Sequence, residues 1–169
     1  MLPSAEHSSE ESRLLHRRAR AQYTAKRARA LIRAAREEGV DLRGSVVLGA
    51  INIDSLVFQE HPDPEHVGEF IGLFAEAFKA GDPWPARIPL IWVDSRGKVW
   101  DGHHRADAAS LAGYRRIPVL RIKAGREIHA IMERLACGYE DLIDAVGILD
   151  PRIRRSLRYS FDSIHWKGR

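Results

Sequence analysis

Apolar positions recur along the chain with two different periods, and the changes of period mark the elements. Over residues 13–38, Leu14, Ala21, Ala25, Ala28, Leu31, Ile32 and Ala35 fall on one narrow stripe of a long helix, and Gly39 is placed to end it. Residues 46–53 read as a strand, rich in β-branched side chains. Val67, Phe70, Ile71, Phe74, Ala75 and Phe78 return to helical spacing. Asp63 suits the N-cap of that helix, Pro64 its first position, and Gly81 its end. Residues 88–93 form a strand, Asp94-Ser95-Arg96-Gly97 a hairpin turn, and residues 98–101 the returning strand. A helix over 103–112 is closed by Gly113, and a last strand covers 117–122. Residues 126 to about 146 and 151 to about 158 are helical in pattern, with a break at Leu149-Asp150-Pro151. No segment repeats. Strands and helices are mixed, which predicts an α+β fold: a small mixed sheet crossed by helices.

This pattern divides the 169 residues into a polar tail (1–12), a basic helix (13–39), a core (46–122) and a C-terminal helical extension packed on that core (123–169). The length and 44% hydrophobic content suit one domain with an appendage. A net charge of +4 permits a nucleotide or nucleic-acid partner without demanding one. The single cysteine, Cys137, excludes an internal disulfide and a cysteine-rich zinc site. No apolar run is long enough to span a membrane, and the start of the chain lacks the order of a secretory signal. The expected location is the cytoplasm.

Chemistry concentrates at Asp101-Gly102-His103-His104-Arg105. A strand ends there, a glycine turns the chain, and a helix begins with two imidazoles and a guanidinium in its first turn. The first N–H groups of a helix have no intrahelical partner, and its dipole favours negative charge. Such an end is suited to a phosphate. Gly102 lets the backbone approach closely, Arg105 offers a fork of donors, and either histidine can donate to a phosphate oxygen. Asp101 can orient a substrate, cap the helix, or pair with Arg105. The adjacent histidines have poor spacing for two ligands of one zinc ion.

The core also resembles a known family. Ile53-Asp54-x-Leu56, Ile88-Pro89-Leu90, the Asp101–Arg105 run, Ala108-Ala109, Gly113 and Ile117-Pro118-Val119 look like the ParB/sulfiredoxin-like fold over residues 46–122. Sulfiredoxins carry a reactive cysteine directly after the motif glycine, where this chain has His103. Chromosome-partitioning ParB proteins carry Gly-Glu-Arg-Arg in place of Gly102-His103-His104-Arg105, bind CTP, and have a helix-turn-helix domain that has no counterpart in the pattern after Ile122. The free serine kinases of this family carry Asp-Gly-His-His-Arg and a catalytic glutamate in the loop after the first strand. Glu60 lies at about the corresponding distance, flanked by Gln59 and His61.

The resemblance therefore implies a small-molecule kinase moving a phosphoryl group from ATP or ADP to the hydroxyl of a free amino acid, L-serine above all. It assigns Glu60, Asp101, His103 and His104 to catalysis, with Gly102, His103, His104 and Arg105 at the phosphates. Mg²⁺ would arrive with the nucleotide rather than on a protein site of its own. The alternative is a non-catalytic ParB-like module that binds nucleotide or DNA, supported by the arginines of residues 13–38. Trp84, Trp92, Trp100 and Trp166 suit core or edge packing, and Arg115-Arg116 a surface pair.

Overall fold

The computed structural model describes residues 25–86 and 88–155. Four strands form one mixed sheet in the order β1-β4-β2-β3. β1 (Val46–Asn52) runs antiparallel to β4 (Arg116–Ile122), with Val46 opposite Ile122 and Asn52 opposite Arg116. β2 (Ile91–Asp94) lies parallel to β4, and β3 (Val99–Asp101) antiparallel to β2. The fold class is α+β, as the alternation of periods predicts.

Side chains alternate across a strand, so the sheet has two apolar faces, and each gathers its own core. Ile117 and Val119 of β4, with Ile91, Val93 and Val99, meet α2 (Pro64–Lys79) and α3 (His103–Ala112) through Val67, Phe74 and Ala106. Leu120 and Ile122 of β4 face the other way. They pack with α1 (residues 25–37), α4 (Arg126–Arg134) and α5 (Tyr139–Leu149) through Leu31, Ile131, Leu142 and Ile143. β4 thus carries apolar residues on both faces because helices cover both.

The ends of α2 follow the sequence. Asp63 accepts a hydrogen bond from Glu65 N at 3.1 Å, Pro64 occupies the first turn, and Gly81 turns the chain at φ 76°. Gly97, at φ 83°, closes the β2–β3 turn, and a Cβ there would lie 2.6 Å from Ser55 O. That close approach lets Gly97 O accept from Val57 N, so the segment after β1 is stitched onto the hairpin.

Two expectations change. β2 starts at Ile91 rather than at residue 88, because the carbonyls of Pro89 and Leu90 accept hydrogen bonds from Arg105 instead of joining the sheet. The pattern read as one helix over 126–146 is two, α4 and α5. The chain breaks where Ala136 adopts φ 52°, and Gly138 caps α5, its N–H donating to Asp141 Oδ2 at 2.9 Å. A helical stretch then covers residues 151–155. The basic helix is described only from residue 25, so Arg13, Arg17, Arg18 and Arg20 lie outside the described residues, as do the polar tail, Trp166, and Arg158 with the end of the last helical pattern. No helix among the described residues is long and apolar enough to cross a membrane.

Candidate functional site

α3 begins where β3 ends. Gly102 sits between them at φ 99° and ψ 28°, a left-handed conformation that turns the strand directly into the helix. No side chain caps this helix. Its first intrahelical bond runs from Ala106 N to Gly102 O at 2.9 Å, so the N–H groups of His103, His104 and Arg105 precede the ladder. No carboxylate lies in that first turn, and Asp101, just before Gly102, is paired with Arg105.

Arg105 is locked in place. Nη1 donates to Pro89 O at 2.6 Å and Leu90 O at 3.4 Å, and Nη2 to Asp101 Oδ2 at 2.9 Å. Its side chain is 11% exposed and that of Asp101 50% exposed. The guanidinium therefore ties the segment before β2 to the β3–α3 junction. Of the roles open to Asp101, the structure shows the ion pair with Arg105 and no cap.

The two histidines have different surroundings. Gln59 N donates to His103 Nε2 at 3.3 Å, so the neutral His103 ring carries its proton on Nδ1. Gln59 Nε2 donates to Val99 O at 2.6 Å, and Phe58 lies beside the His103 ring at 6.0 Å between centroids. These contacts hold the loop after β1 against the start of α3. Glu60 is the next residue, exposed, with no hydrogen bond or ion pair to a described residue. His104 instead meets His66 of α2 edge-on, with ring centroids 5.1 Å apart, and His66 Nδ1 is 3.1 Å from Asp63 Oδ2.

The α3 start thus gathers residues 58–60, the first turn of α2 and the end of β3. Sequence reasoning gave Gln59 only as a flank of Glu60 and missed His66 as a neighbour of His104. The Asp63-x-x-His66 spacing was the available signal, since it places both side chains on one side of the first turn of α2. Among the described residues no three His, Cys, Asp or Glu side chains come together as a metal-binding group. The N–H groups of His103, His104 and Arg105 are donors that an anion could use.

No family model and no curated protein matches the chain. Two solved structures share a likeness. One is a Pnob8-like ParB-N domain, 14% identical, with a TM-score of 0.33, covering 68% of this chain and 50% of that one. The other is a pNOB8-like ParB N-domain, 12% identical, with a TM-score of 0.35, covering 71% of this chain and 48% of that one. This chain spans about half the length of each. The likeness is weak, and it carries nothing about activity or partners.

Proposed function

We propose that the start of α3 binds the terminal phosphates of a nucleotide and that the protein is a small-molecule kinase. It would move a phosphoryl group from ATP or ADP to the hydroxyl of a free amino acid, L-serine by the resemblance of its motif. The observation that carries this reading is the contact between Gln59 N and His103 Nε2, which brings the loop bearing Glu60 to the same helix end as the two histidines.

Phosphoryl transfer depends chiefly on positioning and on stabilising charge. The N–H groups of His103, His104 and Arg105 hold the transferred phosphate. His104, whose ring touches only the edge of His66 among the described contacts, donates to a phosphate oxygen. Arg105 supports the turn from behind, with Asp101 fixing its fork. Glu60 accepts the proton of the attacking hydroxyl as general base. The magnesium-bound nucleotide supplies the phosphoryl group and charge neutralisation. The bond between the terminal phosphorus and its bridging oxygen breaks, the new bond forms to the acceptor oxygen, and the proton goes to Glu60.

Phosphorus NMR of the full chain with Mg²⁺, ATP or ADP, and a mixture of hydroxy amino acids tests this directly. A new phosphomonoester resonance is expected, absent from Glu60→Gln and strongly reduced in His104→Ala. A flat spectrum with both donors, from protein shown to be folded, would transfer the site to the non-catalytic nucleotide- or DNA-binding reading.

A further inference from the structure

Two depressions flank the turn between β2 and β3 and share Ser95 and Arg96. The larger, of about 640 Å³, adds Lys98 and Lys123 to its lining, with His129 and Tyr139 on its far wall. The smaller, of about 320 Å³, adds Arg116 and Arg121. The five cations divide by face: Arg121 follows Ile117 and Val119 toward the α2 and α3 side, whereas Arg96, Lys98 and Lys123 line the depression beside Tyr139. Among the described residues none of the five pairs with a carboxylate, whereas Arg105, Arg134 and Arg152 each do. Asp94, which lines the larger depression, is otherwise occupied. Its Oδ1 accepts from Arg96 N at 2.9 Å and Lys98 N at 3.0 Å, and its Oδ2 faces Trp100 Nε1 at 3.4 Å. Cations that line one depression without an ion-pair partner attract a polyanion.

An aromatic surface adjoins the cations. Trp100 is 42% exposed on β3, and Lys98 Nζ lies 5.0 Å from its ring centroid. Tyr139 meets the Trp100 ring at 85°, with centroids 4.9 Å apart. His129 fixes this wall. Its Nδ1 faces Gly125 O at 2.9 Å and so carries the proton, which leaves Nε2 to accept from the Tyr139 hydroxyl at 2.9 Å.

We infer that the larger depression binds single-stranded nucleic acid, with phosphates on Arg96, Lys98 and Lys123 and a base against Trp100. A positive groove beside an exposed aromatic ring is the chemistry by which single strands are held without sequence preference. A duplex keeps its bases stacked internally, and an acidic peptide has no use for the aromatic. The surface uses none of the side chains assigned to phosphoryl transfer, so it stands independently of the kinase reading.

Fluorescence anisotropy of the full chain with a labelled oligo-dT strand tests the inference across a salt series. Affinity should fall with salt at about 0.7 logarithmic units per neutralised phosphate. The combined variant Arg96→Ala, Lys98→Ala, Lys123→Ala should weaken binding more than tenfold and reduce the slope by about 2. Trp100→Ala should weaken binding several-fold, while Trp100→Phe restores most of it, which separates stacking from a packing defect. Lys98→Ala alone, away from the sheet interior, provides a second charge variant if the triple one melts early. Equal binding of polyglutamate or of duplex DNA would overturn the inference. So would an unchanged affinity in the triple variant, which would place any binding on the arginines of residues 13–20.

Discussion

The guanidinium of Arg105 crosses directly over Gly102: a Cβ added there would lie 2.9 Å from Nη2 and 3.0 Å from Ile91 Cγ1. Two constraints meet at this position. The backbone is left-handed at φ 99°, which a side chain resists, and the space above it is filled by the group that holds the junction together. Gly102→Ala should therefore cost about 1–3 kcal/mol, the range for a non-glycine residue held in a sparsely populated conformation. Urea unfolding gives the number. The same variant should lose nucleotide binding beyond what its stability explains, because relieving the clash moves either the helix start or Arg105.

Arg105→Lys tests how much of that junction depends on a planar fork. One ammonium cannot serve Pro89 O and Asp101 from opposite ends as Nη1 and Nη2 do. We expect a loss of roughly 2 kcal/mol, the scale of a charged hydrogen bond left unmade. Asp101→Asn should cost less, about 0.5–1 kcal/mol, because that carboxylate is half exposed and Arg105 keeps its bonds to the Pro89 and Leu90 carbonyls. Denaturant titration of the two variants in parallel checks the order. A larger loss in Asp101→Asn would mean that the carboxylate, not the carbonyls, holds the arginine.

What was legible in the sequence was what local chemistry controls. Asp63 with Pro64 fixed the start of α2, and Gly113, at φ 109°, the end of α3. The Gly102 turn and the helix it opens were legible for the same reason. Contacts between distant segments were not. His66 meets His104 only because the first turns of α2 and α3 lie side by side on one face of the sheet, and no periodicity encodes that. The start of β2 was misplaced because Ile88-Pro89-Leu90 has the apolar character of a strand, while its carbonyls serve a guanidinium from α3. The break between α4 and α5 was hidden in the same way. Leu135, Ala136 and Cys137 continue an apolar run, and only the left-handed Ala136 ends it.

Gln59 is the tether that links the Glu60 loop to the helix start, through its backbone N–H to His103 and its side chain to Val99 O. Gln59→Ala removes only the second link, worth about 0.5–1 kcal/mol for one net hydrogen bond. The segment over residues 57–60 should then exchange its amide protons faster, while those of β4 remain as protected as before. In the kinase reading, turnover should fall more than the apparent affinity for the nucleotide, since the base is loosened and the phosphate donors are intact. Hydrogen exchange with mass spectrometry, beside steady-state kinetics, separates these effects. Nitrogen NMR of the wild-type chain should show the neutral His103 ring protonated on Nδ1. A ring protonated on Nε2 would remove the tether altogether.

Stability should vary with pH through Asp144 on α5. Burial, with Asp141 and Glu140 nearby, pushes its carboxyl up to about 6 from the ordinary value of 3.8. The sign follows from linkage. A folded-state value above the unfolded one means that the folded chain holds the proton more tightly, so this group's contribution is fully present below about pH 4 and is lost as pH rises through about 6. Asp144→Asn, which keeps the shape of the protonated acid and never ionises, should raise the melting temperature at pH 7.5. It should change little at pH 4, where wild-type Asp144 is already mostly neutral in the folded chain. Melting curves of the two proteins across this range should converge toward acid and part toward neutral pH. Equal melting temperatures at pH 7.5 would show that the carboxylate is solvated well enough to ionise without cost.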